Sequence, residues 1–100
     1  MRTNLLKTFA IAGVMSIASL NAMADGKALY SSLGCAACHG AAGISASPIW
    51  PNLAGQKATY TVKQLKDFQS GVRKDPTMTA MAALTAGKEQ AIADYLASLK

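Results

Sequence analysis

The sequence predicts an all-α domain: three or more short helices joined by two long loops. Three observations carry this. Apolar residues recur at helical intervals in three separate segments. No segment alternates convincingly between apolar and polar residues, as a half-buried strand would. The chain has 100 residues, enough for one domain at most.

The amino-terminal segment stands apart from that domain. Arg2 and Lys7 are basic, and no acid precedes Asp25. Thr8 to Leu20 is an uncharged, largely apolar run of thirteen residues, and Ala22-Met23-Ala24 supplies small residues at the positions a signal peptidase reads. Residues 1–24 are therefore expected to be a cleaved secretory signal peptide, with the working domain over residues 25–100. The apolar run is shorter than the ~20 residues needed to span a bilayer, so no stable membrane insertion is expected after cleavage.

Cleavage after Ala24 would leave 76 residues with a net charge of +3, against +5 for the whole chain. Fifteen of those 76 residues are alanine, which buries little area. So small and alanine-rich a chain needs a staple. A bridge between Cys35 and Cys38 would close a very short loop and stabilise little. The arithmetic points towards a large prosthetic group.

Asp25 to Leu33 reads as the first helix, with Asp25 as N-cap and Leu29 and Leu33 on one face. Gly34 ends it. Gly40 to Pro51 has no sustained period and reads as a loop. Ala58 to Ser70 reads as a second helix, with Val62, Leu65 and Phe68 forming its apolar face and Gly71 its stop. Val72 to Leu84 reads as a second loop, because Pro76 interrupts a helix. Thr85 is expected to cap a last helix carrying Ile92, Tyr95, Leu96 and Leu99. Loops this long in so small a domain are disordered unless they pack against something.

Cys35-Ala36-Ala37-Cys38-His39 is C-x-x-C-H, the attachment pattern of c-type haem. Each thiol adds across one haem vinyl group to form a thioether. Two intervening residues let both reach adjacent pyrrole rings, and the following His presents its imidazole to the iron. The rival readings are weaker. A thioredoxin-like dithiol sits near a βαβ pattern, and no strands are visible. A zinc site lacks a fourth ligand, since the chain has two Cys and one His. A structural disulfide explains neither the His nor the missing core. Secretion agrees with haem, which is attached in this way outside the bacterial cytoplasm.

A low-spin electron-transfer haem needs a sixth ligand, and with no second His a methionine thioether is the natural choice. Met78 and Met81 are the candidates left after cleavage of the leader. If neither bound iron, the sixth position would be open to a small ligand, and sensing or catalysis would be the reading.

The chain resembles the class I c-type cytochromes, in particular small bacterial members and single domains of dihaem members. The resemblance runs through Gly-Lys-Ala-Leu-Tyr, Cys-Ala-Ala-Cys-His-Gly, Pro-Asn-Leu-Ala-Gly-Gln, Tyr-x-x-Lys-Gln-Leu, Met-Thr-Ala-Met and Ile-Ala-Asp-Tyr-Leu, in that order. It implies a small cytochrome c fold, three to five short helices wrapped around one covalently attached haem c with its iron. By the same resemblance His39 is the proximal ligand. Pro51 supplies the carbonyl that accepts from its other ring nitrogen, with Pro48 as runner-up. Met78 is favoured over Met81 as distal ligand. Gly26 lets the first helix cross the last at the face carrying Tyr95. Trp50 and Arg73 are candidate contacts to the haem and its propionates.

The expected function is that of a periplasmic one-electron carrier with no enzyme activity, a monomer or weak dimer. Its expected partners are redox proteins: a quinol-oxidising complex or dehydrogenase upstream and an oxidase or reductase downstream. A permanent haem-bearing subunit of a larger oxidoreductase is the variant of that reading. Nucleic-acid binding is not expected, because the basic residues are scattered and not interleaved with aromatics. In the family the last helix often opens with acidic residues. Here Ala86, Gly87 and Lys88 precede Glu89, which predicts a weak first turn.

Overall fold

The computed structural model describes residues 23–99, so nearly all of the expected signal peptide lies outside the described residues. Among those residues the chain forms five helices and no strand. They are α1 (23–32), α2 (Cys35–His39), α3 (Ala58–Ser70), α4 (Pro76–Leu84) and α5 (Glu89–Ser98). No helix among them is long and apolar enough to cross a membrane.

The core forms where α1 meets α5. Tyr30, Ile92, Tyr95 and Leu96 are buried together, with Leu29, Leu33, Leu53 and Leu99 packed around them. The Tyr30 and Tyr95 rings lie 5.8 Å apart and tilted by 52°, a geometry worth ~0.5–1.5 kcal/mol beyond area burial. Gly26 makes this approach possible. A Cβ there would stand 2.8 Å from the Cβ of Tyr95 and run into the carbonyl of Ala91. Helix propensity alone would favour Gly26→Ala by ~1 kcal/mol, but backbone has nowhere to retreat and overpacking costs up to about 3 kcal/mol. The variant is therefore expected to lose about 2 kcal/mol of stability in a denaturant titration. A gain would show that the helices do not cross here.

α3 lays its apolar face against α4 and α5, burying Phe68. Its exposed Lys63–Asp67 pair, at 2.6 Å, is a surface ion pair worth little.

The structure corrects the sequence reading at four places. Val72 to Leu84 is not all loop, since α4 begins at Pro76. Pro sits there at a helix start, where its missing N–H is not needed, and the Asp75 side chain accepts from the N–H groups of Thr77 and Met78. Thr85 does not cap the last helix. It closes α4, and a turn over residues 85–88 carries Gly87 and Lys88 ahead of α5. Glu89 is then the first residue of α5, so the weak first turn does not arise. Asp25 lies within α1 rather than capping it, because Met23 and Ala24 are already helical. The haem motif, to which the sequence reading assigned no element, is helical, as α2.

The long segment after α2 packs against the core. The carbonyl of Gly43 accepts from the N–H groups of Leu53 (2.7 Å) and Ala54 (3.0 Å), and the Gly55 N–H donates to Leu96 on α5 at 2.9 Å. Leu53 joins the core cluster.

Candidate haem site

One turn of helix explains the motif spacing. In α2, Cys38 and His39 lie three and four residues after Cys35, so both thiols and the imidazole share one face. Gly34 opens the turn in a left-handed conformation, and Gly40 closes it by donating to Ala36. Gly40 has φ 86° and ψ 150°, and a Cβ there would strike the Ile44 carbonyl. Only glycine fits such a position. Cys35 and Cys38 are both free and half-buried, not bridged to each other. Burial pushes the Cys35 thiol up.

His39 is 6% exposed, and its Nδ1 lies 2.8 Å from the carbonyl oxygen of Pro51. A carbonyl can only accept, so Nδ1 carries the hydrogen and donates it. This fixes the neutral tautomer with a lone pair on Nε2. Nε2 makes no hydrogen bond to the described residues. None of their buried side-chain nitrogen or oxygen atoms is left without a partner, so Nε2 is not sealed in. The donor set fits haem: two unpaired thiols and one imidazole with a free lone pair, on one face.

Residues that sequence reasoning passed over hold this arrangement. The Tyr30 hydroxyl donates to the Gly40 carbonyl at 2.6 Å, tying α1 to the end of the motif. Ser45 Oγ reaches the Cys38 carbonyl at 3.2 Å, and the Ser45 N–H donates to Asn52 Oδ1 at 2.7 Å. These bonds fold the loop so that the Pro51 carbonyl faces His39. Short polar residues among prolines are the sequence signal for such a turn.

The other candidates fall in different places. Trp50 precedes Pro51 and is 40% exposed. Arg73 is not brought to the His39–Pro51 pair. Its guanidinium stacks 4.6 Å from the Phe68 ring centre and donates to Gln64 Oε1 at 2.7 Å, both on α3. Met78 and Met81 lie on α4, not in a loop, and are both half-buried. Three residues apart, they share a helix face. The Met81 methyl packs over Gly34, 3.2 Å from where a Cβ would lie.

Tyr30 gives the site a pH dependence. Its phenol is pushed up to about 12 by burial, then by the neighbouring Cys35 thiol and by Tyr95. The thiol's share disappears once Cys35 is a thioether. A raised pKa means the fold favours the neutral phenol, so this stability is complete below pH ~10 and is lost as pH rises towards ~12. Denaturant titrations at pH 9 and pH 11 are expected to show lower stability at pH 11, with a smaller drop in Tyr30→Phe.

The family model described as cytochrome c matches residues 23–100. The chain belongs to the cytochrome c family. Covalently bound haem c with its iron comes with that membership, and Cys35, Cys38 and His39 stand at the attachment positions. Cytochrome c4 of Pseudomonas aeruginosa is 38% identical over 98 residues, covering 97% of this chain and 47% of that protein. A thiosulfate dehydrogenase electron acceptor of Stutzerimonas stutzeri is 39% identical over 89 residues, covering 79% of this chain and 41% of its own length. The crystal structure of reduced recombinant cytochrome c4 from Pseudomonas stutzeri superposes with a TM-score of 0.69 at 31% identity, covering 80% of this chain and 49% of that one. The chain thus spans about half the length of these relatives and resembles one domain of a dihaem cytochrome c4.

Proposed function

We propose that this cytochrome c domain is a one-electron carrier working in the periplasm, delivered there by residues 1–24 as a cleaved signal peptide. The observation that carries the reading is the His39–Pro51 hydrogen bond of 2.8 Å. It holds the imidazole in one orientation, fixes the tautomer and makes Nε2 a better donor. When bound, the haem supplies a one-electron iron couple. Cys35 and Cys38 would anchor the group by two thioethers, and His39 would supply an imidazole ligand to its iron.

Met78 would supply the second iron ligand, with Met81 as the alternative. Support comes from its place on α4 and from Met81 being engaged against Gly34. With His39 and Met78 both committed to the iron, no bond to a substrate would be made or broken. A thioether ligand and an apolar surround both favour the reduced state and raise the potential. Trp50, next to Pro51 in the chain and 40% exposed, would contact the haem, and the engagement of Arg73 by α3 leaves a propionate contact without support. A dehydrogenase is the upstream donor favoured by the relative that serves thiosulfate dehydrogenase. An oxidase or reductase is the acceptor downstream.

A spectroscopic redox titration of the holoprotein tests this reading. One reversible one-electron transition, with no turnover of peroxide, is the expected result. Catalytic turnover of a small ligand by the isolated protein would overturn it.

A further inference from the structure

The helix that carries both methionines is held at its far end by a cross-link remote from the haem motif. The side-chain amide of Gln69, on α3, stands 2.9 Å from the carbonyl of Ala82, 3.1 Å from Oγ1 of Thr85 and 3.3 Å from Oε2 of Glu89. Two amide hydrogens are thus shared among three acceptors. Ala82 is fully buried, and Thr85 and Glu89 nearly so. Thr85 Oγ1 itself donates to the Ala82 carbonyl at 2.7 Å, and the Gly87 N–H donates to Glu89 Oε2 at 3.2 Å. One side chain therefore joins α3, the end of α4, the turn after it and the start of α5. Ala82 follows Met81 directly and lies four residues, about one turn, from Met78. The other end of α4 has its own cap at Asp75.

We propose that Gln69 is a positioning residue for the distal methionine: it fixes the end of α4, and through α4 the place of the thioether. The inference rests on methionine ligation as read above. Removing the amide leaves no acceptor bare, because Ala82 keeps Thr85 and Glu89 keeps Gly87. What is lost is the link between helices, so the fold should survive while α4 gains freedom. Glu89 shows the charge the junction tolerates. Burial raises its carboxyl, but its own N–H, Gln69, Gly87 and Lys66 lower it further, leaving it below the usual carboxylate range. It is ionised at neutral pH, so a lysine at position 69 would meet a carboxylate and two neutral acceptors.

The test compares the wild-type holoprotein with Gln69→Leu, Gln69→Lys, Thr85→Ala and Met78→Ala. Carbon monoxide competes with methionine for reduced iron, so its binding rate reports how often the thioether is away. In Gln69→Leu this rate is expected to rise about tenfold, the equivalent of one charge-assisted hydrogen bond. The far-red band of thioether-bound ferric haem is expected to weaken. Gln69→Lys should return both to wild-type values, and Thr85→Ala should show a smaller rise. A Gln69→Leu protein that melts earlier yet binds carbon monoxide as slowly as wild type would make Gln69 merely structural and overturn the proposal. If Gln69→Leu yields no holoprotein, an unchanged rate in Thr85→Ala overturns it. Wild-type protein that binds carbon monoxide as fast as Met78→Ala does would remove methionine ligation itself, and the Gln69 proposal with it.

Discussion

A Cys35→Ser, Cys38→Ser double variant is expected to carry no covalent haem and to lose most of its fold. Serine hydroxyls do not add to vinyl groups under conditions where thiols do, so both anchors are lost. The consequence for stability follows from the core. Among the described residues the buried apolar ones are Tyr30, Phe68, Ala82, Ile92, Ala93, Tyr95 and Leu96, two of them alanine. A core of that size supplies little more than about 3–5 kcal/mol in a domain this small. The haem must supply much of the remainder by covering apolar side chains with its own apolar faces. Circular dichroism of the purified variant should show a large fall in helix signal at 25 °C. Retention of wild-type helicity and melting temperature without haem would show that the polypeptide folds alone and needs no staple.

Met78→Ala is expected to have the second largest effect, and on chemistry rather than on folding. Both methionines are half-buried on one face of α4. Loss of the proposed ligand should leave the thioethers and His39 intact while opening the iron to an outside molecule. The reduced protein should then bind carbon monoxide readily. The potential should fall by roughly 0.1–0.3 V, within the ~0.8 V range that axial ligation spans. Met81→Ala should instead keep ligation and lose ~2 kcal/mol or more of stability, because its methyl fills the space over Gly34. The reverse pattern would exchange the roles of the two methionines.

Much of this was legible in the sequence because periodicity and covalent chemistry are local. Val62, Leu65 and Phe68 on α3, and Ile92, Tyr95 and Leu96 on α5, declare their faces at helical intervals. The Cys-x-x-Cys-His spacing declares its attachment chemistry directly, although not the helical turn that carries it. α4 was hidden for a physical reason. It is apolar nearly all round, so no face stands out, and its opening proline reads as a breaker unless Asp75 is recognised as the cap before it. Thr85 misled because a threonine that closes one helix looks the same as one that opens the next.

The polar scaffold was the least legible part. The carbonyls of Gly40 and Pro51 and the amide of Gln69 matter through partners ten to twenty residues away. Neither propensity nor spacing registers such pairs. Arg73 was read from its charge, and the structure adds local partners to that reading. Phe68 and Gln64, five and nine residues earlier, engage its guanidinium.

The most direct measurement is the visible absorption spectrum of the purified holoprotein, oxidised and then dithionite-reduced, with and without carbon monoxide. A covalent haem with imidazole and thioether ligands should give the sharp reduced bands of a low-spin c-type centre, unmoved by carbon monoxide. Bands that shift with carbon monoxide would contradict a closed site and make a ligand-binding haem the better account. Absence of covalent haem, in protein made with the attachment machinery present, would contradict the assignment of Cys35, Cys38 and His39.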